Sequence, residues 1–493
     1  MSLKARDRQD FRLDGRIVMD IEAFLSADKS IVIAPAGYGK THTIAEAIAA
    51  YSGQKKVLVL THTHAGIASL KDKFKVQGIP ASKFHLDTIC SFALSLTKTY
   101  HLNKNEIPPE SDMTAMFNYA LIHTTQILKA KPIRSLMKVK YEHLIVDEYQ
   151  DCSELQHQMI LELANMLKTH LLGDPLQGIF SFRQERVVDF NDPSFEPFFA
   201  NCYTLETPWR WNNAGNVDLG RDLAKIRAKL LAGEDVDLRE YQSIVKVYGD
   251  EKDYAIPQTD IKKQIYRELS RDAVIIFPMG ASPEPRKAVV RAFNMLQLLE
   301  PIDGKDYYTW CEAFDRLSGQ ELVQAVAEMM GKACSKTPVG HWINAKGALV
   351  RKSKDEELVF RNGLKDIVEP LCARKSYGLI AILIDTIGKL PGVTVYRKEL
   401  VKNVVQVLVE ANKLGLTATE ALARNRNIAR RNGRPLTKKS IGTTLLTKGL
   451  EFDNVVVLNA QHFDSPRHLY VALTRCRKRL VVITNNPVLH PYK

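Results

Sequence analysis

The chain has 493 residues, a hydrophobic content of 45% and a formal net charge of +13 at neutral pH. This length suits about three or four domains, and the apolar fraction supports large cores and excludes wholesale disorder. A protein this basic often binds nucleic acid, although charge alone is equally compatible with a solvated basic surface.

The cysteines and the first residues argue for a reduced, cytoplasmic setting. The chain has seven cysteines, an odd number, and no CxxC pair, which argues against a disulfide framework or a zinc module. The first ten residues are highly charged and lack the apolar core of a signal peptide. No run approaches 18 apolar residues, so we expect a cytoplasmic protein that does not contact a membrane.

Short apolar runs alternate with helical patterns along the chain. Near-continuous apolar runs are typical of parallel strands that are covered on both faces, and helices between them indicate α/β layers. The predicted strands are residues 30–34, 56–61, 144–147, 170–172, 273–277, 454–458 and 480–484. Between 301 and 435 the apolar residues recur at helical spacing, so this stretch is predicted to be mostly helical.

The first predicted strand runs into a glycine-containing loop. Residues 31–41 read Ile-Val-Ile-Ala-Pro-Ala-Gly-Tyr-Gly-Lys-Thr, and an Ala-rich helical pattern follows. This order predicts a phosphate-binding loop whose backbone N–H groups face a polyphosphate. Ala34 replaces the first glycine of the usual pattern, so an ordinary strand–turn–helix is the alternative. The predicted nucleotide-binding residues are Ala36, Gly37, Tyr38, Gly39, Lys40, Thr41 and His42.

The third predicted strand ends in adjacent carboxylates. Residues 144–151 read Leu-Ile-Val-Asp-Glu-Tyr-Gln-Asp. A buried strand of this kind would deliver Asp147 to a Mg²⁺ ion and Glu148 to an attacking water. With Lys40 contacting the β and γ phosphates and the Thr41 hydroxyl as a second Mg²⁺ ligand, these residues predict a nucleoside triphosphatase.

Four further segments follow in a recognisable order. They read Leu-Gly-Asp-Pro-Leu-Gln-Gly-Ile-Phe-Ser-Phe-Arg at 172–183, Leu-Glu-Thr-Pro-Trp-Arg at 205–210, Thr-Thr-Leu-Leu-Thr-Lys-Gly-Leu-Glu-Phe at 443–452 and Leu-Tyr-Val-Ala-Leu-Thr-Arg-Cys at 469–476. With the loop and the acidic strand, they make the chain resemble the UvrD/Rep/PcrA group of superfamily 1 DNA helicases. The resemblance covers most of 31–212 and 442–484 and leaves the middle unmatched.

The resemblance implies an α/β fold with two RecA-like P-loop NTPase lobes, ATP between them, and a mostly helical insertion in the second lobe. On this basis the first lobe comprises residues 1–204, with a reduced insertion at about 96–140. The second lobe comprises residues 205–300 and 436–493, and the helical insertion comprises residues 301–435.

The resemblance also implies roles for individual residues. Gln177 would contact the γ-phosphate, and Arg210 and Arg475 would approach it from the second lobe. Trp209 would stack on adenine and Glu451 would lie near the ribose. The alternatives are a loop-capping amide for Gln177, a core aromatic for Trp209 and plain surface charges for the two arginines. Together with Lys40, Asp147 and Glu148, Gln177 and the arginines make up the predicted catalytic set.

The expected DNA contacts are less specific. The segment at the end of the second strand contains Thr61, His62 and His64, and the family has Phe and Asn at the two histidine positions. His62 would stack on a base, with an ordinary strand-end histidine as its equal alternative. Thr88 begins a second contacting loop. Phe182 matches a family aromatic that stacks on bases, although core packing is its alternative. Stacking contributes about 1–3 kcal/mol per base.

Two functions follow from the resemblance. The first is a DNA-stimulated ATPase, using ATP and Mg²⁺, that translocates 3′→5′ on single-stranded or partly duplex DNA and unwinds it. The second is a nucleotide- and DNA-sensing subunit that regulates a partner nuclease with little processive unwinding. The length and trimmed architecture are similar to the helicase subunit of the Gabija antiphage system, which would place the protein in antiviral defence.

Overall fold

The computed structural model describes residues 17–108, 112–179, 187–280, 282, 284–299, 305–334, 336–432 and 438–492. The chain divides into two compact units. Unit 1 comprises residues 1–251, 431–434 and 447–493, and unit 2 comprises residues 252–430 and 435–446. Within the described ranges, none of the helices combines the length and apolarity that a membrane span requires.

Unit 1 is built on a seven-stranded parallel sheet with the order β1-β7-β2-β6-β5-β3-β4. Its strands are β1 Ile17–Val18, β2 Lys29–Ile33, β3 Lys56–Thr61, β4 Phe84–Thr88, β5 Tyr141–Val146, β6 Lys168–Gly173 and β7 Cys202–Thr204. Because every strand runs the same way, all their carboxyl ends meet at one edge, which is where ligands bind in open α/β sheets.

Helices connect these strands and cover both faces of the sheet. They are α1 Ile21–Ser26, α2 Lys40–Ala50, α3 His64–Val76, α4 Ile89–Tyr100, α5 Met113–Ile127, α6 Lys131–Lys140, α7 Glu154–Ala164, α8 Glu196–Phe199, α9 Trp209–Asn213 and α10 Val217–Leu231. Local sequence explains several of their beginnings. The Thr63 and Thr88 hydroxyls accept backbone N–H bonds at the starts of α3 and α4, and Ser153 with Gln156 forms a capping box at α7.

Alternation along β3 divides its side chains between two cores. Val57 and Val59 belong to the core under α2 and α3, whereas Leu58 and Leu60 belong to the core that includes residues of α4, α5 and α7. Successive side chains of a strand point to opposite faces, so a run that is apolar at every position requires cover on both. The predicted α/β class with buried parallel strands is confirmed.

The rest of unit 1 comes from later in the chain. Its elements are β8 Val236–Asp237, β9 Val245–Tyr248, β13 Phe452–Leu458, α21 Pro466–Leu473, β14 Cys476–Thr484 and β15 Val488–Leu489. Strand β14 pairs in parallel with both β13 and β9, and β8 pairs antiparallel with β15. These pairings bring the last 40 or so residues into the same unit as the phosphate loop.

Unit 2 contains three parallel strands, with β12 between β10 and β11, and most of the middle helices. Its elements are β10 Val274–Phe277, β11 Gln297–Leu298, β12 Ser440–Thr443, α11 Asp260–Leu269, α12 Glu284–Ala292, α13 Lys305–Arg316, α14 Gly319–Ala333, α15 Lys336–Gly340, α16 Asp355–Ala373, α17 Tyr377–Gly388, α18 Lys398–Leu414, α19 Ala418–Asn432 and, across the unit boundary, α20 Thr444–Thr447. Helices α13 to α19 confirm the mostly helical character predicted for 301–435.

A carboxylate organises the helical core of unit 2. Asp315 accepts hydrogen bonds from the backbone N–H groups of Ala418 and Thr419, at 2.7 and 3.0 Å, where α19 begins. It also accepts from the Tyr377 hydroxyl at 2.6 Å. A carboxylate at a helix N-terminus satisfies unpaired N–H groups and complements the helix dipole. Asp315 therefore ties α13, α17 and α19 together.

Two histidines lie in the sheet of unit 1 without access to solvent. His170 on β6 contacts Ser30 at 2.8 Å and His143 on β5 at 3.0 Å, and both histidines are buried. Burial lowers the pKa of His143 to about 4 and that of His170 well below its ordinary value. Folding therefore favours the neutral rings, since charged imidazoles would lose their hydration.

We expect this histidine pair to make the fold sensitive to acid. The unfolded chain binds a proton at His143 near pH 6.5 and the folded chain only near pH 4, so stability from this residue is present above about pH 6.5 and is lost as the pH falls. At pH 5 the loss is about 2 kcal/mol for His143. Denaturant unfolding at pH 7 and pH 5 should show a smaller difference for His143→Gln than for the wild type. Equal differences in the two proteins would contradict this account.

Candidate active site

The phosphate loop lies between β2 and α2, at the carboxyl edge of the seven-stranded sheet. Gly37 and Gly39 adopt positive φ angles of 78° and 90°. At Gly37 a Cβ atom would lie 2.9 Å from the Cβ of Arg210, and at Gly39 one would lie 2.9 Å from Cδ1 of Trp209. Both positions therefore require glycine, for conformation and for space.

Lys40 begins α2 and points at the end of β5. Its Nζ lies 3.3 Å from Asp147 Oδ1 and 2.5 Å from Glu148 Oε1. Burial by itself would lower the pKa of Lys40, but the two carboxylates outweigh it and the pKa is raised. The predicted cation and the two predicted carboxylates are thus brought together, over a sequence separation of more than 100 residues.

The pKa values of the two carboxylates shift in opposite directions. Burial raises the pKa of Asp147, whereas at Glu148 the burial effect is outweighed by Lys40 and Lys448, which lower the pKa of that carboxyl. Glu148 has a φ of 56°, an unusual conformation for a residue other than glycine, and it turns the chain into the short helix 149–151. This turn directs the ionised carboxylate back toward Lys40.

The residues at this edge fit a magnesium–triphosphate. The first N–H groups of α2, the Lys40 ammonium and the Thr41 hydroxyl at the second helical position are the groups that phosphates and Mg²⁺ require. Asp147 adds a carboxylate, and one or two carboxylates are the usual protein share of such a site. Among the described residues no cluster of three His, Cys, Asp or Glu side chains could hold a metal without the phosphates.

The Arg475 guanidinium points at the side chain of Gln177. Its Nη2 lies 3.5 Å from Gln177 Oε1, while Nε donates to Val471 O at 3.0 Å and Nη1 to Leu450 O at 3.3 Å. Burial, together with the neighbouring Arg210, lowers the pKa of Arg475 to about 10. The guanidinium remains charged at neutral pH and is held in a single orientation by carbonyl oxygens.

Arg210 is the second cation of this group. Its Nη2 donates to Glu451 at 2.6 Å and its Nη1 to the Thr474 carbonyl. Its backbone N–H donates to the Gly37 carbonyl at 3.0 Å, so Arg210 is tied directly to the phosphate loop. Burial at Glu451 is outweighed by Arg210 and Arg475, which lower the pKa of this carboxyl.

Two tryptophans flank Arg210 and have different surroundings. Trp209 is 48% exposed and lies over Gly39, as a residue that stacks on a base would. Trp211 is 1% exposed, and its Nε1 donates to the Cys476 carbonyl at 2.9 Å. The core aromatic is therefore Trp211. The predicted nucleotide-binding residue His42, in the first turn of α2, contacts Gln77 at 3.0 Å and Glu46 at 3.1 Å.

A buried ion pair orients Gln177. Its Nε2 donates to Asp174 at 3.1 Å, and Asp174 in turn accepts from Arg227 on α10 at 2.9 Å. Asp174 has no exposed surface. The Arg227 guanidinium also lies 6.0 Å from the ring centroid of Tyr470, whose hydroxyl accepts from the Ala36 N–H at 3.2 Å. Arg227 thus supports both Gln177 and the phosphate loop.

Removing Arg227 should leave the Asp174 charge buried and unpaired. For Arg227→Met we expect the free energy of unfolding to fall by about 3–5 kcal/mol, as is usual when one partner of a buried ion pair is deleted. Arg239→Met removes an exposed pair with Asp237 and should cost about 0–1 kcal/mol. Denaturant unfolding of both variants measures the difference, and equal losses would show that the Asp174 site admits water.

A second ion pair was missed by sequence reasoning. Lys448 donates to both carboxylate oxygens of Asp151, at 2.5 and 2.6 Å, and to the Gln177 carbonyl at 2.5 Å. Burial raises the pKa of Asp151 to about 7 and lowers that of Lys448. Both residues stand inside the motifs given above, but nothing in those motifs says that they pair. Arg227 stands outside the motifs, and no sequence signal identified it.

The predicted DNA-contacting residues lie at the carboxyl ends of two adjacent strands. Thr61 on β3 is the register partner of Thr88 on β4. Both threonines are buried, and Thr88 is the N-cap of α4. His62 lies 3.4 Å from the Cys152 thiol, and His64 begins α3. Phe182 lies outside the described residues.

Comparison with known proteins supports a helicase-like character. Residues 20–183 match the family model described as an AAA domain. An ATP-dependent helicase/nuclease subunit from Streptococcus agalactiae is 34% identical over 128 residues, which are 26% of this chain and 10% of the relative. The exonuclease/helicase subunit RexA from Lactococcus lactis subsp. cremoris is 29% identical over 189 residues, which are 37% and 14% of the two chains.

Two further likenesses are more limited. The RecBCD enzyme subunit RecB from Buchnera aphidicola is 34% identical over 86 residues, 17% of this chain and 7% of the relative. The crystal structure of the Pif1 helicase from Candida albicans aligns over 96% and 95% of the two chains, with 12% identity and a TM-score of 0.38. The chain thus matches about a tenth of the length of its curated relatives. Together with the AAA domain match, the sequence relatives support a superfamily 1 helicase as the class of protein that this chain resembles.

Proposed function

We propose that the protein is an ATP-dependent DNA translocase and helicase of the UvrD-like type. One observation carries this proposal: the Lys40 ammonium lies between the Asp147 and Glu148 carboxylates, in the unit that also holds Arg475 against Gln177. Lysine, carboxylate pair, glutamine and arginine are the groups that phosphoryl transfer to water requires. Their convergence from distant parts of the chain supports a catalytic role.

Different residues of the site would carry out different parts of ATP hydrolysis. Lys40 and Arg475 supply positive charge where negative charge develops on the transferred phosphoryl group, and such preorganised cations need no reorganisation during reaction. Glu148, ionised at neutral pH, orients the attacking water and accepts its proton. Thr41 and Asp147 would hold Mg²⁺, which neutralises charge on the β- and γ-phosphate oxygens when it is bound.

The carboxyl edge of the sheet also supports coupling to DNA. Cys152 directly follows the acidic segment, and its thiol contacts His62 at 3.4 Å. A shift of the acidic segment during hydrolysis would therefore move Cys152 and, through this contact, His62, which lies beside Thr61 and Thr88. We propose that His62 and His64 touch single-stranded DNA, that the buried Thr61 and Thr88 support this edge without touching the strand, and that movement along the strand is 3′→5′, as the resemblance implies.

The test of this function is ATP hydrolysis with and without single-stranded DNA, for the wild type and for Lys40→Ala. We expect DNA to stimulate the wild type and the variant to be inactive. Equal, DNA-independent rates in both proteins would reject the proposal. Strand displacement on 3′-tailed, 5′-tailed and blunt duplexes then gives direction.

A second candidate is a sensor subunit that controls a partner nuclease. It is favoured by the names of the relatives, which are subunits of enzymes that combine helicase and nuclease functions. Membership in an antiphage defence system is a narrower version of the same candidate. Size-exclusion chromatography with the product of the neighbouring gene tests it, and a chain that migrates alone and unwinds DNA processively would reject it.

A further inference from the structure

Lysines line the amino-terminal edge of the seven-stranded sheet in unit 1. Strands β6, β5, β3 and β4 lie side by side and parallel, so all four begin at one edge, opposite the edge that carries Lys40 and Asp147. We call the six residues at these four strand starts the lysine edge. They are Lys168 at the start of β6, Lys138 and Lys140 in the last turn of α6, which runs directly into β5, Lys55 directly before β3, Lys56 at the start of β3, and Lys83 directly before β4.

Strand register places these lysines next to one another. Lys56 is paired with Tyr141, the residue that follows Lys140, and Lys168 is paired with His143. Neighbouring strands are about 4.8 Å apart, so the four strand starts span about 14 Å. The first and last of these lysines, Lys55 and Lys168, are more than 110 residues apart in the sequence, and the parallel topology brings all six to one edge.

Among the residues that the structure describes, no acidic side chain neutralises most of the lysine edge. Within the described ranges no ion pair involves Lys55, Lys56, Lys138, Lys140 or Lys168. Lys83 alone is held by carbonyl oxygens, those of Ala49 and Tyr51.

The nearby carboxylates have other partners or lie to one side. Glu142 accepts from the Tyr51 hydroxyl at 2.7 Å, and Glu162 lies 3.7 Å from Lys129. Asp28 precedes β2, beyond the β6 end of the row. The positive charges of two of these lysines act on a nearby histidine. Burial lowers the pKa of His85, and Lys140 and Lys56 lower it further.

We propose that the lysine edge binds the phosphate backbone of duplex DNA, as a site separate from the proposed single-strand track. A row of cations whose neighbouring aromatic side chains are buried matches phosphates rather than bases, since platforms for single strands interleave exposed aromatic residues. Here Tyr51 and Tyr141 are buried. About 14 Å of duplex carries about eight phosphates, which is enough to engage six lysines. The site goes beyond the motor function, because it requires neither ATP nor strand separation.

The test compares two variants that lose the same charge. Lys55, Lys56, Lys138 and Lys140 are changed to Gln in one, and the unit 2 lysines Lys346, Lys365, Lys402 and Lys413 are changed to Gln in the other. Binding of a blunt 20-base-pair duplex is measured by fluorescence anisotropy from 50 to 200 mM salt, without nucleotide. Each phosphate contact contributes about 0.9 to the slope of log K against log salt, so the first variant should lose a slope of about 3–4 and bind more weakly.

The control variant should keep the wild-type slope, and both variants should keep the wild-type melting temperature. Affinity for a ten-nucleotide single strand should stay unchanged in the first variant. An unchanged duplex slope, an equal loss in the control, or an equal loss for the single strand would each overturn the proposal. Because no step uses ATP, an inactive wild type would reject the motor function and leave this result standing.

Discussion

Glu148→Gln should abolish most ATP hydrolysis while leaving nucleotide binding intact. The side chain keeps its size, but it loses the charge that accepts a proton from water, and a positioned base contributes about 10²–10⁴-fold to the rate. Lys40 and the loop glycines remain in place, so the affinity for nucleotide should change little. Single-turnover hydrolysis and equilibrium binding of a fluorescent nucleotide separate the two quantities.

The control for this experiment is Glu154→Gln, six residues later. Glu154 is exposed on the first turn of α7. Its removal changes the net charge equally but should leave the rate at the wild-type value. A Glu148→Gln protein that hydrolyses ATP at more than about a tenth of the wild-type rate would assign the water to another residue.

Arg475→Ala should lower the single-turnover rate of hydrolysis by about 10³–10⁵-fold, the range that an arginine finger contributes in related reactions. The Arg475 guanidinium donates hydrogen bonds to the carbonyl oxygens of Val471 and Leu450 and to the side-chain oxygen of Gln177. Its orientation is therefore set before any substrate binds. Arg475→Lys keeps a charge but cannot make these contacts together, and it should also be strongly impaired.

Arg477→Ala is the matched control for Arg475. Arg477 lies two residues later on β14, is exposed and pairs with Asp453. Its loss should leave the hydrolysis rate unchanged. Melting temperatures show whether the buried Arg475 variants remain folded. A folded Arg475→Ala protein with a wild-type rate would remove Arg475 from the mechanism.

The strands that are buried on both faces were predictable because such burial leaves a local signal. The expected strand at 56–61 is observed at Lys56–Thr61, and that at 30–34 as Lys29–Ile33. An uninterrupted apolar run with polar flanks requires no knowledge of distant residues. The two-residue strands Ile17–Val18 and Val236–Asp237 were not predicted, since two residues carry too little pattern. The longer strands Phe84–Thr88 and Val245–Tyr248 were also not predicted, because they are mostly half-buried and lack a continuous apolar run.

The expected catalytic residues were recognised from motifs, but their partners were not. Lys40 and Glu148 each stand in a distinctive local sequence, whereas Arg227 stands in an ordinary amphipathic helix. Its pairing with Asp174 depends on how α10 packs, over a separation of 53 residues. The same holds for Lys448 and Asp151, which are 297 residues apart.

Local patterns in this chain specify the strands, the glycine loop and the kinds of chemical group present, because hydrophobic periodicity and loop conformation depend on near neighbours. Three-dimensional packing assigns the partners: which carboxylates meet Lys40, which amide meets Arg475, which of two adjacent tryptophans is buried, and which lysines form one row. Those pairings depend on strand order and register, and contacts between residues hundreds of positions apart leave no mark within any single stretch of sequence.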